Sequence, residues 1–309
     1  MSTPRRALIV VLAALVAAFI VLSVITSAGK LPAVELRPRA GWLALALVLL
    51  GVGQATHAAL WRRIVLAAGG TLGVLDGVSI FSTSLLARYV PTQVLMAVTR
   101  VTMAERVGVA RSVSLTAIVY ELALVVATSI ALSLAYLLSL DRLAGSPLQV
   151  LVVLVPFVVL AALHPRVVDA LSVRLATRLD LDPEHRSVPT PALAALVCGY
   201  LLSFVVFGAA VLAFAEGLGP IETPDLPALS AYAVGYAASV LAFFIPGGLG
   251  AREAAMASAL TTIMPLSFAL TVAIGVRIAQ TGVELAFAGV AALLVRRRGR
   301  AAAVGADPC

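Results

Sequence analysis

Long apolar runs separated by brief polar punctuation set the rhythm of this chain. A helix needs roughly 20 apolar residues to cross a hydrocarbon core about 30 Å thick. The stretches 7–27, 41–60, 112–138, 147–163, 191–214 and 266–295 read as such spans. Two others, 72–107 and 227–263, are apolar but broken in their middles. The first break is Tyr89-Val90-Pro91-Thr92-Gln93, and the second is Phe244-Ile245-Pro246-Gly247-Gly248-Leu249-Gly250. Proline removes a helix donor and paired glycines release the backbone from helical angles. Each broken stretch therefore predicts a hairpin of two helical arms. The expected fold is an all-α integral membrane bundle of about six full spans plus two broken, re-entrant-like hairpins.

Shifting the chain by 155 residues lays Pro91 on Pro246, and the arm 72–90 on 227–245. The same shift lays 112–138 on 267–293 and 41–60 on 196–215. Residue identity across the shift is low, so the signal is the order of elements. Repeat 1 covers about 7–138 and repeat 2 about 147–295, within a single integral domain over 1–309. Each half reads span, span, broken hairpin, span. The residues 164–190 form the one sizeable loop, and 296–309 a tail.

Composition agrees with a lipid setting. The chain has 309 residues, 61% hydrophobic and 12% charged, with a mean hydropathy of +1.08. Soluble domains carry about twice that charge, so an ordinary water-soluble enzyme is excluded. The net charge of +7 does not point to nucleic acid, because the basic residues cluster between apolar runs rather than beside aromatics. Such clusters mark cytoplasmic helix ends. Arg5/Arg6, Arg62/Arg63, Arg106/Arg111, the loop 164–190 and Arg296/Arg297/Arg298/Arg300 all favour the cytoplasm, whereas the acidic segment 215–225 favours the outside. Both termini then lie inside. The repeats run in opposite directions, with the first hairpin rooted on the cytoplasmic side and the second on the outer side. The loop 29–40, with Lys30, Arg37 and Arg39, falls outside against the charge rule. The run 7–27 is longer than a signal-peptide core, so it reads as a retained first span. Arginine and alanine bias suggests a GC-rich bacterial genome, hence a bacterial plasma membrane.

Ionisable side chains at mid-membrane cost about 2.5–3.5 kcal/mol each on insertion scales. In 266–295, Arg277, Gln280 and Glu284 form one polar stripe. Glu121 shares a face of 112–138 with Thr128, and the repeat shift lays it on Val276, beside Arg277. The two halves thus carry opposite charges at equivalent depth, and a pair between them that fastens the bundle is one reading. Glu253, beside the Gly-rich break, suits a helix start, whereas Arg252 there is disfavoured by the helix dipole. A cation beside exposed helix-start N–H groups makes an anion site. The alternative for Arg252 is a partner such as Glu121 or Glu284. Arg100 follows the first tip at depth. His57, with Gln54 and Trp61, reads as a packing residue, and Asp76 as a cap. No metal or cofactor site is expected, since neither Cys198 nor Cys309 has a suitable neighbour spacing.

Pro246-Gly247-Gly248-Leu249-Gly250-Ala251-Arg252-Glu253 resembles the signature of the UPF0104 group. These are flippase-like membrane proteins related to the transmembrane region of lysylphosphatidylglycerol synthases. Tyr89-Val90-Pro91, Arg100 and Ala104-Glu105-Arg106-Val107-Gly108-Val109 resemble that group's first motif, with Thr92 where members commonly have glycine. Glu121 and Arg277 fall where the family tends to place a glutamate and an arginine. The resemblance covers nearly the whole chain. It implies lipid movement between leaflets, without the aminoacyl transfer that a separate soluble domain performs in the synthases.

The expectation that follows is a flippase-like transporter, not an enzyme, whose partner is an anionic phospholipid or lipid-linked phosphate. The site residues are Arg100, Glu121, Pro246, Gly247, Gly248, Gly250, Arg252, Glu253, Arg277 and Glu284. Arg252 would hold the phosphate, and Arg100 and Arg277 would add positive potential. Two alternatives stay open: a membrane enzyme using Glu121 or Glu253 as base, and an accessory subunit of cell-envelope synthesis. A homo-oligomer is also compatible with the sequence.

Overall fold

The computed structural model describes residues 37–87, 93–141, 145–170, 187–241 and 250–304. The expected span 7–27, the two hairpin tips and most of the 164–190 loop lie outside the described residues. What is described is helical: α1 (Ala40–Ala67), α2 (Val74–Leu86), α3 (Gln93–Glu105), α4 (Arg111–Leu137), α5 (Pro147–Ala162), α6 (Thr190–Leu218), the single turn α7 (Leu226–Leu229), α8 (Ala231–Leu241), α9 (Ala251–Leu260) and α10 (Leu266–Val304). Among the described residues, α1, α4, α6 and α10 are long and apolar enough to span a membrane. This is a polytopic helical membrane protein.

The helices differ from the sequence expectation at their ends, for local reasons. α1 runs on to Ala67 and so carries Arg62 inside the helix, where its Nε donates to the Leu72 carbonyl at 2.8 Å. α10 continues through the basic cluster to Val304, so Arg296 to Arg298 are helical rather than part of a tail. α5 has 16 residues, about 24 Å at ~1.5 Å per residue, short of a full crossing. Its start is fixed by Pro147 in the first turn and by Ser146 Oγ accepting the Gln149 N–H. Pro165 follows its C-terminal turn and cannot continue the helical donor series.

Both broken stretches fold as paired arms. α2 and α3 have 13 residues each, and α8 and α9 have 11 and 10. Arms of roughly 15–20 Å reach only part-way through a ~30 Å core. The 155-residue shift maps α2 onto α8, α4 onto α10 and α1 onto α6, each within a few residues at the N-terminal end.

The halves meet along α1 and α6, which run antiparallel. A Cβ placed on Gly53 would lie 2.6 Å from Phe207, one on Gly217 2.6 Å from Leu43, and one on Gly199 2.6 Å from Leu60. Glycine at these crossings lets the backbones approach, as is usual where lipid supplies no hydrophobic drive between helices. Because α1 and α6 are repeat equivalents, their opposed directions invert one half against the other.

The inversion also places the hairpin roots. At one end, Arg298 Nη1 lies 3.4 Å from Asp76 Oδ2 in the first turn of α2. At the other, the Glu222 N–H donates to the Ile263 carbonyl at 3.3 Å and Thr262 donates to Asp225, the cap of α7. The first hairpin is rooted at the end of α1 that carries Ala67, and the second at the end of α6 that carries Leu218. Arg39 and Glu216 pair at 2.9 Å at the latter end, and the Arg37 and Arg39 N–H groups donate to the Leu218 and Gly217 carbonyls. Arg37 and Arg39, two of the basic residues that strained the charge rule, thus sit beside the acidic segment.

Apolar side chains line the outside as well as the core: Leu47, Val48, Val119, Leu122, Phe157, Leu202 and Leu293 are all exposed. A continuous apolar surface of this kind belongs in lipid. The closest crossing involves Gly208, where a Cβ would fall 2.0 Å from the Leu229 carbonyl oxygen. Gly208→Ala should therefore lower the thermal midpoint in detergent, by about 1–3 kcal/mol of stability. Gly282→Ala, with nothing within 4 Å, should leave it unchanged. Equal midpoints for the two variants would contradict the packing of α6 against α7.

Candidate functional site

Among the described residues three arginines are buried in the bundle: Arg100 at 1% exposure, Arg252 at 3% and Arg277 at 8%. Each is carried by a hairpin's second arm or by the long helix behind it, and each is balanced differently.

Arg100, on α3, sits between its own hairpin and α1. Its Nη1 donates to Glu121 Oε2 on α4, and its Nε donates to Ser84 Oγ on α2 at 3.0 Å. The guanidinium carbon lies 4.8 Å from the Phe81 ring centre and 5.2 Å from that of Trp61. A desolvated cation over aromatic faces recovers on the order of 2 kcal/mol. Arg100 is therefore deep, and its charge is met by Glu121.

The second hairpin repeats this plan with the charges exchanged. Gly250 caps α9 at φ +79°, a left-handed angle that favours glycine. Its N–H donates to Glu253 Oε2 at 2.8 Å, so Glu253 does cap the helix start. The other carboxylate oxygen of Glu253 lies 3.9 Å from Arg277 Nε on α10. In the first half the arm supplies the cation and the long helix the anion; in the second half the roles reverse.

A pair between Glu121 and Arg277 across the halves, one reading of the sequence, is not among the ion pairs of the described residues, where Glu121 meets Arg100 and Arg277 faces Glu253. α3 packs on α4, and α9 packs on α10, which brings these partners together within each half. The positive potential expected from Arg100 and Arg277 is correspondingly matched by Glu121 and Glu253.

Arg252 is the exception. Its Nη2 donates to Gln280 Oε1 at 3.0 Å, and its guanidinium carbon lies 4.7 Å from the Tyr232 ring centre and 5.8 Å from that of Tyr236. Its Nε is buried without a hydrogen-bond partner. Among the described residues it forms no ion pair. Neither Glu121 nor Glu284 contacts it directly: Gln280 intervenes, its Nε2 donating to Glu284 Oε1 at 3.0 Å. The stripe Arg277, Gln280, Glu284 on α10 is therefore real, and its middle member reaches Arg252. Gly235 on α8 admits this arrangement, since a Cβ there would lie 2.8 Å from the Arg252 carbonyl oxygen.

A model of the lysylphosphatidylglycerol synthase TM region matches residues 8–289. The chain belongs to that family. No curated protein matches it individually. Within this family member, the described part of the signature places Gly250, Arg252 and Glu253 at one helix start, while Pro246, Gly247 and Gly248 lie outside the described residues.

Three aromatic residues that the sequence reading left out complete the site, together with Gln280 of the expected stripe. Tyr232, Tyr236 and Phe81 furnish faces for the two arm arginines, and Gln280 bridges Arg252 to Glu284. Phe81 and Tyr236 are 155 residues apart, so the repeat shift already marked them as equivalent. His57 keeps the packing role expected of it: its Nε2 lies 2.8 Å from Ser203 Oγ, among Tyr200, Phe204 and Phe207.

Glu253 separates capping from charge pairing. Glu253→Gln retains an oxygen for the Gly250 N–H but removes the charge facing Arg277. Glu253→Ala removes both, and should cost about 1–2 kcal/mol more in detergent melts. Identical melts for the two variants would show that the cap bond contributes nothing.

Proposed function

We propose that this family member translocates an anionic phospholipid, or a lipid-linked phosphate, between the two leaflets without changing it chemically. The observation that carries the reading is Arg252. A guanidinium buried to 3% exposure, answered by a neutral amide and two tyrosine rings, retains a charge that an anion can meet. Arg100 and Arg277, by contrast, already face carboxylates of their own half. Glu284, linked to Arg252 only through Gln280, limits the charge of the empty site without occupying it.

The opposite roots of the hairpins supply the geometry for access from either side. Inverted repeats whose broken helices meet near mid-membrane support alternating access in secondary transporters. The phosphate would enter beside one hairpin, engage Arg252, and leave beside the other. The basic cluster Arg296 to Arg298, at the root of the first hairpin, favours a cytoplasmic position for that end. Both termini then face the cytoplasm of a cell in whose plasma membrane the protein resides.

The test uses the purified chain in proteoliposomes with fluorescent phosphatidylglycerol and a membrane-impermeant quencher. Wild-type protein should expose inner-leaflet lipid to the quencher, and Arg252→Ala should slow this by tenfold or more at equal folded protein. That ratio corresponds to at least about 1.4 kcal/mol of lost interaction. Arg252→Lys, which keeps the charge but not the planar fork, should fall between. An unaltered rate in Arg252→Ala would overturn the site assignment. A lipid whose mass changes on incubation would favour the enzyme reading instead.

A further inference from the structure

Arg100 does not use all of its donors. With Nε on Ser84 and Nη1 on Glu121, its Nη2 is buried without a partner. The same condition holds for Trp61 Nε1, Gln54 Nε2 and Tyr200 Oη, all on residues at or below 3% exposure. Gln54 and Trp61 lie seven residues apart, on one face of α1. Trp61 lies beneath the Arg100 guanidinium, and the Tyr200 ring packs 5.3 Å from His57, midway between them on α1. The Tyr200 hydroxyl is within electrostatic reach of both Arg100 and Glu121.

Three of these groups only donate hydrogen bonds, and the fourth can donate. Buried donors are rarely left unpaired in folded proteins. Such donors repel cations and suit a ligand with several acceptor oxygens, with Trp61 directly beneath the guanidinium and Gln54 about 10 Å further along the same face of α1. Glu121 occupies one edge of that guanidinium, and its side chain is 15% exposed against 1% for Arg100. The carboxylate thus stands at the accessible rim of the cluster.

We propose that Arg100, Trp61, Gln54 and Tyr200 form a second anion site, for a phosphate monoester or phosphodiester, with Glu121 as its resident counterion. The incoming phosphate replaces the Glu121 carboxylate on Arg100, one anion exchanged for another, so the guanidinium is never left bare. The remaining phosphate oxygens take the donors that Glu121 does not reach. Its aromatic face is the repeat counterpart of Tyr236 beneath Arg252, since Phe81 is 155 residues before Tyr236, while the arginines themselves stand three residues out of register. It rests on the function proposed above only in taking the natural anion to be a lipid phosphate.

The chain has two tryptophans, and Trp42 is exposed while Trp61 is fully buried. Trp42→Phe therefore leaves Trp61 as a reporter inside the site. Detergent-solubilised Trp42→Phe protein is titrated with dihexanoyl phosphatidylglycerol and, separately, with inorganic phosphate. A saturable change in Trp61 emission with either probe is expected. A response to both identifies a general phosphate site, and a response to the lipid alone identifies a headgroup site. Adding Glu121→Gln should tighten binding by about tenfold, because the competing occupant is gone. Arg100→Gln with Glu121→Gln, which leaves no buried charge unmatched, should fold and lose the response. Adding Arg252→Ala should preserve it.

No response to either probe means that the donors hold water only, and overturns the proposal. So does a response that survives in the Arg100→Gln/Glu121→Gln protein, weaker binding in the Glu121→Gln protein, or loss of the response with Arg252→Ala. Because binding is read without transport, absent lipid translocation would defeat the flippase reading while leaving this site standing.

Discussion

A guanidinium in hydrocarbon must be answered from within the protein, because no water is there to answer it. That constraint organises the interior of this bundle. Each buried arginine has recruited what its surroundings allow: Glu121, Ser84 and two aromatic faces for Arg100, Glu253 for Arg277, and Gln280 with Tyr232 and Tyr236 for Arg252. The hairpins make these contacts possible. An arm that stops part-way through the membrane delivers a side chain to a depth where a full span would carry only its middle. The short arms and the buried charges are two aspects of one design.

Antiparallel packing of α1 and α6 provides the frame. Glycines at the crossings bring the two backbones close enough for residues of both repeats to share one core. Tyr200 and Ser203 of the second half therefore meet His57 of the first. The same contact fixes the hairpins at opposite ends of the molecule. Removing side-chain volume at the seam is what allows inversion of the halves to become a packed structure.

The broad architecture was legible in the chain because it depends on run length and on where proline interrupts. α4, α6 and α10 begin within a residue of the apolar runs that announced them. Helix ends were harder. Arg62 suggested an end to α1, yet a carbonyl in the following loop satisfies it, and the helix continues. The site was half legible. Arg100, Glu121, Arg252, Glu253, Arg277 and Glu284 stood out because charge is scarce in apolar helices. Their partners did not, since helix phase and arm packing decide which charge meets which. Glu121 and Arg277 sit one residue out of register across the repeat, and that offset gave no warning that each would pair within its own half. Tyr232 and Tyr236 were concealed by the ordinariness of aromatics in an apolar helix.

The exchange of charges between the repeats bears on how the protein experiences a transmembrane voltage. In one half the arm is positive and the long helix negative; in the other, the arm is negative and the long helix positive. Inverting a repeat reverses the component of its arm-to-helix vector along the membrane normal, and exchanging the charges reverses the electrical dipole once more. For pairs at equivalent positions the two dipoles then point the same way across the bilayer. Charges in the membrane interior feel a field worth about 2.3 kcal/mol per elementary charge for a full crossing at 100 mV. Had both halves carried the same polarity, their responses to that field would oppose each other. With the polarity exchanged between the halves, whatever component the two pairs have along the membrane normal adds rather than cancels.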